Sequence, residues 1–353
     1  MSAPSFAGVG AVREAHRFDE ARLTDWMAAH VEGFAGPLTV EQFKGGQSNP
    51  TYRLSTPARQ YVLRRKPPGD LLPGAHAIER EARAIAAVET TGFPVPHVYA
   101  LCPDDSVIGT PFYVMAMVEG RIFWDAALPG EAPETRAAVY DAMNAAIARL
   151  HRIDPVAIGL GDYGRTSNYL ARQIARWSRQ YREDAAAGRD PYMDWLIEWL
   201  PAHLPANDET SLVHGDFRID NIVFTHDAAN IRSVLDWELS TLGHPLADFA
   251  YHLMMYRMPP LTIPGLACAD LAALGIPGEH DYVAAYCRRT GRSGIADLDF
   301  YLAFNFFRFA AICHGIKGRI ARGTAASSEA GRLAADFPVL AKLAWDQAKR
   351  AAS

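Results

Sequence analysis

Two short stretches hold the side chains best suited to chemistry: SLVHGDFRIDNIVF, residues 211 to 224, and SVLDWE, residues 233 to 238. They present Asp216, Asn221 and Asp236 in that order, each beside an apolar run with the look of a short strand. Ser211 to Val213 lead into Asp216, Ile222 to Phe224 come after Asn221, and Ile231 to Leu235 deliver Asp236. Two carboxylates and a carboxamide on short loops are hard oxygen groups, the ligand type that magnesium takes beside substrate phosphates. Phosphoryl transfer from a nucleotide asks a protein chiefly to position the acceptor and to neutralise phosphate charge, and these residue types are able to do both. Either piece alone reads equally well as a turn that ends a strand. The ordered pair is what points to a reaction.

Side chains that must meet across a site need a frame, and hydrophobic periodicity predicts one. Residues 12–34 read as one or two helices, with Leu23, Trp26, Met27 and His30 at helical spacing, packed on the outside of the strands that come next. From Leu38 the pattern turns to strands: LTVEQF, the turn KGGQSN, PTYRLST and QYVLRRK, a hairpin signal. AHAIEREARAIAAVETTG is a helix with Ile78, Ala82, Ile85 and Val88 on one face and Gly92 as its stop. FPVPHVYALC is kept extended by its prolines, and TPFYVMAMVEG supplies another buried strand. Beyond Gly120 the chain is mostly helical, with Val139, Met143, Ile147 and Leu150 marking a strong helix. The expected fold is α+β in two lobes. A helical extension covers residues 1–37, a small antiparallel-sheet lobe with one main helix covers 38–120, and a larger helical lobe covers 121–353.

The chain has 353 residues, 49% of them hydrophobic and 21% charged, with a formal net charge of −5. That is enough for two lobes with a generous core, and too mild a charge to gather nucleic acid. Cys102, Cys268, Cys287 and Cys313 are scattered without a CxxC pair. Such a pattern fits reduced thiols in a cytosol better than a disulfide framework or a zinc site. MSAPSFAGVGAVREAHRF lacks a basic start followed by an apolar core, so no signal peptide is read. YLAFNFFRFAAICHGI is interrupted by Asn305 and Arg308 and reads as a buried helix, too short and polar for a membrane span. The expectation is a cytoplasmic protein with neither nucleic-acid nor membrane partners.

HGDFRIDN followed by LDWE resembles the aminoglycoside phosphotransferase and choline kinase family, small-molecule relatives of the protein kinases. Asp216 and Asn221 keep the spacing of the catalytic Asp and the metal-binding Asn in the protein-kinase catalytic loop. The resemblance implies a bilobal, protein-kinase-like fold that moves the γ-phosphoryl of ATP or GTP to the hydroxyl of a small molecule. It implies that Asp216 orients or deprotonates that hydroxyl and that Asn221 and Asp236 hold Mg²⁺. In the first lobe it implies a phosphate loop at Gly45, Gly46, Gln47, Ser48 and Asn49, where glycine permits close backbone approach. It also implies adenine hydrogen bonds to the backbone of Ala116 and Val118 beside Met115. The family's strand lysine is replaced, because YVLRRKP puts Arg64 at that position, with Lys66 two residues on and on the same strand face. Arginine neutralises phosphate through a planar fork, where lysine offers a point charge. By the match of REA the helical partner of this cation is Glu81, with Glu79 as second choice. HGD in place of HRD, with no APE after Asp236, favours a small-molecule acceptor over a protein. The competing readings are an aminoglycoside-type antibiotic kinase and a catalytically weak kinase-like protein that binds nucleotide or ligand, the latter supported by Arg64.

The acceptor is less legible. From Asn168 to Glu183, Leu170, Ile174, Trp177 and Tyr181 share one helical face while Arg172, Arg176 and Arg179 line another. Bordering the acceptor cleft, as an equivalent region does in the family, this helix would repel polycationic aminoglycosides and suit anionic acceptors. Arg172 and Arg176, with Tyr251 from a later helix, are the candidate substrate residues. The same basic face reads equally as a solvated surface or the contact of a homodimer. Over nearly its full length, including YVLRRKPPG and GLGDYG, the chain also resembles the kinase-like part fused ahead of some acyl-CoA dehydrogenases, which implies hydroxyacyl or acyl-CoA-linked substrates. His214 is expected to brace the loop, and Asp248 to be structural. Gly159, Gly161 and Gly164 satisfy GxGxxG, but they come after a helix and Pro155 where no βαβ unit begins, so a dinucleotide fold is not expected.

Overall fold

The structure, a computed structural model, describes residues 8–44, 49–69, 77–228, 230–324 and 330–352. It opens with β1 (Val9–Gly10) and α1 (Glu20–His30), whose first turn is capped by the Asp19 carboxylate. Then come β2 (Thr39–Phe43), β3 (Thr51–Ser55), β4 (Gln60–Arg65), α2 (Ile78–Glu89), β5 (Val98–Cys102) and β6 (Phe112–Ala116). The six strands form one sheet in the order β1-β2-β3-β4-β6-β5, antiparallel at every pairing.

Alternation along the strands divides the two faces of this sheet. Tyr61 and Leu63, with Phe112 and Val114, pack with Leu23 and Met27 of α1. Val62, with Tyr113 and Met115, joins α2 and the second lobe. Arg64 lies two residues after Val62 and therefore shares its face. The extension read as helical also supplies β1, which pairs with Phe43 and Gln42. Two residues are too few to show an alternating pattern.

The second lobe contains α3 (Pro133–Leu150), α4 (Tyr169–Glu183), α5 (Pro191–Ala202), β7 (Ser211–Val213), β8 (Ile222–Phe224), β9 (Ile231–Val234) and β10 (Thr241–Gly243). It continues with α6 (Pro245–Leu253), α7 (Leu271–Leu274), α8 (Glu279–Thr290), α9 (Leu298–Ala321) and α10 (Ala330–Ala351). Proline opens α3, α5 and α6, where its missing N–H has no helical partner to lose. Val139, Met143, Ile147 and Leu150 of α3 are fully buried. So is most of α9, whose apolar residues surround it on all sides, as suits a central helix. β7 pairs with β10 and β8 with β9, each antiparallel. Gly159, Gly161 and Gly164 lie between α3 and α4, in no βαβ unit. Among the described residues no helix is long and apolar enough to cross a membrane.

Candidate active site

β7 runs directly into His214, Gly215 and Asp216. Gly215 has φ +82°, and a Cβ there would lie 2.7 Å from the Leu239 carbonyl oxygen, so the turn requires glycine. Asp248 of α6 holds this loop, accepting the N–H groups of His214 at 2.9 Å and Gly215 at 2.8 Å, with His151 Nε2 3.1 Å away. Burial opposes the Asp248 charge, but these donors and the nearby histidines keep its carboxyl below the usual range. His214 lies with Nε2 3.0 Å from the Leu235 carbonyl and accepts the Asp216 N–H at Nδ1 (3.2 Å). Its imidazole thereby links the loop of Asp216 to the residue preceding Asp236.

His252 supports the same loop from behind, with Nδ1 3.2 Å from the Phe217 carbonyl and Nε2 2.6 Å from the Tyr282 hydroxyl. Burial pushes its pKa down to about 4. Below its unfolded pKa near 6.5 the unfolded chain takes a proton that the folded chain refuses. Its contribution is therefore intact above 6.5 and is lost toward pH 4, by up to roughly 3 kcal/mol. Urea unfolding at pH 7 and at pH 4.5 should show a smaller acid loss for His252→Gln than for the wild type. An equal loss would remove His252 from the account.

The carboxylate of Asp216 is fixed on both sides. Oδ2 accepts from Asn221 Nδ2 at 3.0 Å, and the same nitrogen reaches the Asp216 carbonyl at 2.9 Å. Oδ1 accepts the Tyr251 hydroxyl at 2.6 Å and has Arg218 Nε 3.3 Å away as an ion pair. Arg218 also bonds Asp220 at 2.9 Å. Burial works against the Arg218 charge, but Asp216 and Asp220 hold it protonated. By giving its nitrogen to Asp216, Asn221 keeps Oδ1 as the atom it can offer a cation.

Asp236 has φ +64°, a left-handed conformation that costs a residue with a side chain roughly 1–3 kcal/mol and is typical of functional sites. Arg64 reaches it across the cleft: Nη2 lies 2.8 Å from Asp236 Oδ1 and 2.9 Å from Glu238 Oε2, and Nε lies 3.0 Å from Glu81. The contact with Glu81 is a close ion pair whose N–H is not aimed at the oxygen. Lys66 pairs with Glu79 at 2.6 Å, so Glu79 and Glu81 of α2 are divided between the two cations. Three carboxylates thus share one guanidinium. Burial pushes the Glu81 carboxyl up to about 7 even beside Arg64. Desolvation opposes the charge on Arg64, which Glu81 and Asp236 nevertheless keep in place. Surplus negative charge with hard oxygen donors fits a divalent cation, to which Asp236 and Asn221 could offer oxygens.

Two cavities meet here. The larger, about 300 Å³, lies between the lobes, with Val62, Ile85, Met115, Ala116, Val118 and Val223 as its apolar wall and Arg64, Glu81, Asn221 and Asp236 at its polar end. The Ala116 N–H is given to the His97 carbonyl at 2.8 Å. Where the chain passes from the first lobe into the second, Arg121 and Phe224 exchange backbone hydrogen bonds at 2.9 and 2.8 Å. Gly120 lies so near that a Cβ would meet the Phe224 carbonyl at 2.2 Å. The smaller cavity, about 140 Å³, is lined by Phe217, Arg218, Tyr251, Met254, Met255, Met258 and Phe309 among others. Trp124 and Asp220 line both.

Of the residues singled out in the sequence, Arg64, Glu81, Asp216, Asn221, Asp236 and Tyr251 come together. Asn49 joins them by donating to Glu238 at 3.2 Å. Gly45, Gly46, Gln47 and Ser48 lie outside the described residues. Arg172 and Arg176 line neither cavity: Arg172 is half-buried and donates to the Arg165 carbonyl at 3.2 Å, and Arg176 is exposed, 5.0 Å from the Trp177 ring centroid. Sequence reasoning passed over Glu238, Arg218, Trp124 and the methionines after α6. Glu238 and Arg218 had a signal, being charged residues within two positions of the central acids.

A family model described as the phosphotransferase enzyme family matches residues 39–298. The chain belongs to this family. A mouse protein named acyl-CoA dehydrogenase family member 10 is 46% identical over 317 residues, which cover 89% of this chain and 30% of that protein. The chain therefore spans under a third of that relative. A crystal structure from Ralstonia eutropha, provisionally named an aminoglycoside phosphotransferase, shares 50% identity, covers 95% of this chain and 99% of its own, and has a TM-score of 0.87. A choline kinase from Cryptosporidium parvum shares the fold alone, with a TM-score of 0.61 at 11% identity and 95% of each chain covered. The phosphotransferase membership agrees with the resemblance carried by HGDFRIDN and LDWE, and the two-lobed fold with the α+β expectation.

Proposed function

We propose that this phosphotransferase is a magnesium-dependent kinase that moves the γ-phosphoryl of ATP or GTP to a hydroxyl on an apolar, acyl-CoA-linked acceptor. The observation that carries this reading is the place of Asp216, beside the junction of a long cavity with a charged end and a small apolar one. The base of the nucleotide enters between the lobes, and its phosphates lie toward Arg64. Mg²⁺ on Asn221 and Asp236 would offset phosphate charge there. The acceptor oxygen bonds to the γ-phosphorus while the bond from that phosphorus to the bridging oxygen breaks. The hydroxyl proton goes to Asp216, and the nucleoside diphosphate leaves.

The smaller cavity supports an apolar acceptor, since methionine thioethers adapt to flexible chains. Its two charged linings, Arg218 and Asp220, already pair with each other. A polycationic aminoglycoside would find one carboxylate there, and that one engaged. The acyl-CoA dehydrogenase name of the mouse relative favours hydroxyacyl groups as the apolar chain.

Nucleotide consumption with ATP and with GTP should be measured against aminoglycosides, amino alcohols, ketoamines, hydroxy acids and hydroxyacyl-CoAs. Phosphorylated hydroxyacyl-CoA is the expected product. Turnover of aminoglycosides alone would overturn the acceptor assignment. Nucleotide binding without product from any class would favour a binding protein, the reading that the Arg64–Asp236 pair supports.

A further inference from the structure

Among the described residues, neither oxygen of the Asp216 carboxylate lacks a donor. Asn221 occupies Oδ2, and it lines the nucleotide cavity. Tyr251 and Arg218 occupy Oδ1, and both line the smaller cavity. An acceptor hydroxyl must come within hydrogen-bond reach of a base that takes its proton. If the acceptor enters from the smaller cavity, Oδ1 is the oxygen it meets, and at 2.6 Å the Tyr251 hydroxyl already stands as an acceptor hydroxyl would.

The phenol is held there by its own helix and by a cation on its ring. α6 carries Tyr251 three residues after Asp248, so the helix that grips the backbone before Asp216 also grips its carboxylate. Arg308 of α9 lies 5.0 Å from the centroid of the Tyr251 ring and donates to the Gly215 carbonyl at 2.9 Å. Burial, together with the Asp216 charge, raises the phenol pKa far above its ordinary value, so the hydroxyl remains a donor at any working pH.

We propose that Tyr251 is the resting occupant of the acceptor-hydroxyl seat on Asp216, holding Oδ1 against water until an acceptor hydroxyl takes over that hydrogen bond. This rests on the proposed kinase activity. It makes Tyr251 a positioning residue with a guarding role, and it names the side reaction that is guarded against. In that reaction a water oxygen bonds to the γ-phosphorus, the bond to the bridging oxygen breaks, and the water proton goes to Asp216, leaving nucleoside diphosphate and inorganic phosphate. Removing the phenolic oxygen leaves a polar gap beside a carboxylate, where a water finds partners.

A merely structural tyrosine and a guard differ in the sign of one measurement. The full chain is supplied with Mg²⁺ and ATP, without acceptor, and phosphate release is monitored for the wild type, Tyr251→Phe and the double variant Tyr251→Phe with Asp216→Asn. Nucleotide affinity is measured alongside by calorimetry. Tyr251→Phe is expected to release phosphate roughly three- to tenfold faster at similar nucleotide affinity, and the double variant to lose that gain. Release at or below the wild-type rate by a variant that still binds nucleotide overturns the inference and leaves the kinase reading standing. A gain that survives Asp216→Asn also overturns it. A wild type that binds no nucleotide sinks both. Should the Phe variant fail to fold, Tyr251→Met, suited to a cavity rich in methionine, carries the same expectation.

Discussion

Asp216→Asn is expected to cut phosphoryl transfer by roughly 10²–10⁴-fold, the usual contribution of a positioned general base. At saturating magnesium, nucleotide affinity should change by less than about threefold, because removal of an interaction made only in the transition state lowers kcat and leaves ground-state binding. The geometry supports that separation. Arg64, Glu81 and the apolar wall between the lobes lie on elements that do not touch the Asp216 carboxylate. The carboxamide keeps the shape of the side chain and still accepts the Tyr251 hydroxyl through its oxygen. Its nitrogen then faces Asn221 Nδ2, 3.0 Å away in the wild type, donor against donor. Turning the Asn221 carboxamide over gives no relief, because Oδ1 would then face the Asp216 carbonyl that Nδ2 bonds at 2.9 Å. Asn221 must therefore shift, which carries Oδ1 away from the place proposed for magnesium. The variant should therefore also need more magnesium for half-maximal nucleotide binding. Initial rates and calorimetry over a range of nucleotide and magnesium concentrations test both effects. Full turnover by the variant would remove Asp216 from its assigned place.

The ease of reading Asp216 and the difficulty of reading its neighbours have one physical cause. Asp216, Asn221 and the short strands around them lie within a single run of sequence, where spacing alone fixes which groups are close. α2 and α3 were legible for a similar reason, since Val139, Met143, Ile147 and Leu150 repeat with the helical period and are all buried. The smaller cavity joins Trp124, Phe217, Tyr251, Met258 and Phe309, which come from four separate segments. No local period announces that meeting. Arg172 and Arg176 show the opposite failure. Their spacing does describe one face of α4, but helical period cannot say what that face looks toward, and it looks toward neither cavity. Glu238 lay in view within DWE, yet its importance comes from Arg64, which reaches it from the other lobe at 2.9 Å.

That reach makes Arg64 the second site of large effect. Arg64→Met is expected to destabilise the fold by about 3–5 kcal/mol at pH 8, the cost of leaving a buried partner without its counter-charge. Glu81 is 2% exposed and would lose its nearest cation, while Asp236 and Glu238 would lose the charge that they share. The loss should shrink on acidification. Burial already raises the Glu81 carboxyl to about 7 in the presence of Arg64, and removal of the cation raises it further. A carboxyl with a raised folded pKa holds its proton more tightly folded than unfolded, so stability rises as pH falls from that pKa toward the unfolded value. Urea unfolding at pH 6 and pH 8 should therefore show Arg64→Met closer to the wild type at pH 6. Arg64→Lys separates the phosphate charge from the fork. A single ammonium beside Glu81 cannot also serve Asp236 and Glu238 as the planar guanidinium does, so this variant should lose less stability and, with Asp236 released, bind Mg²⁺–nucleotide at lower magnesium. If Arg64→Met is as stable as the wild type at pH 8, the ion network is not what ties the first lobe to the loop of Asp236. If Arg64→Lys needs more magnesium, Arg64 aids the metal instead of competing with it for Asp236.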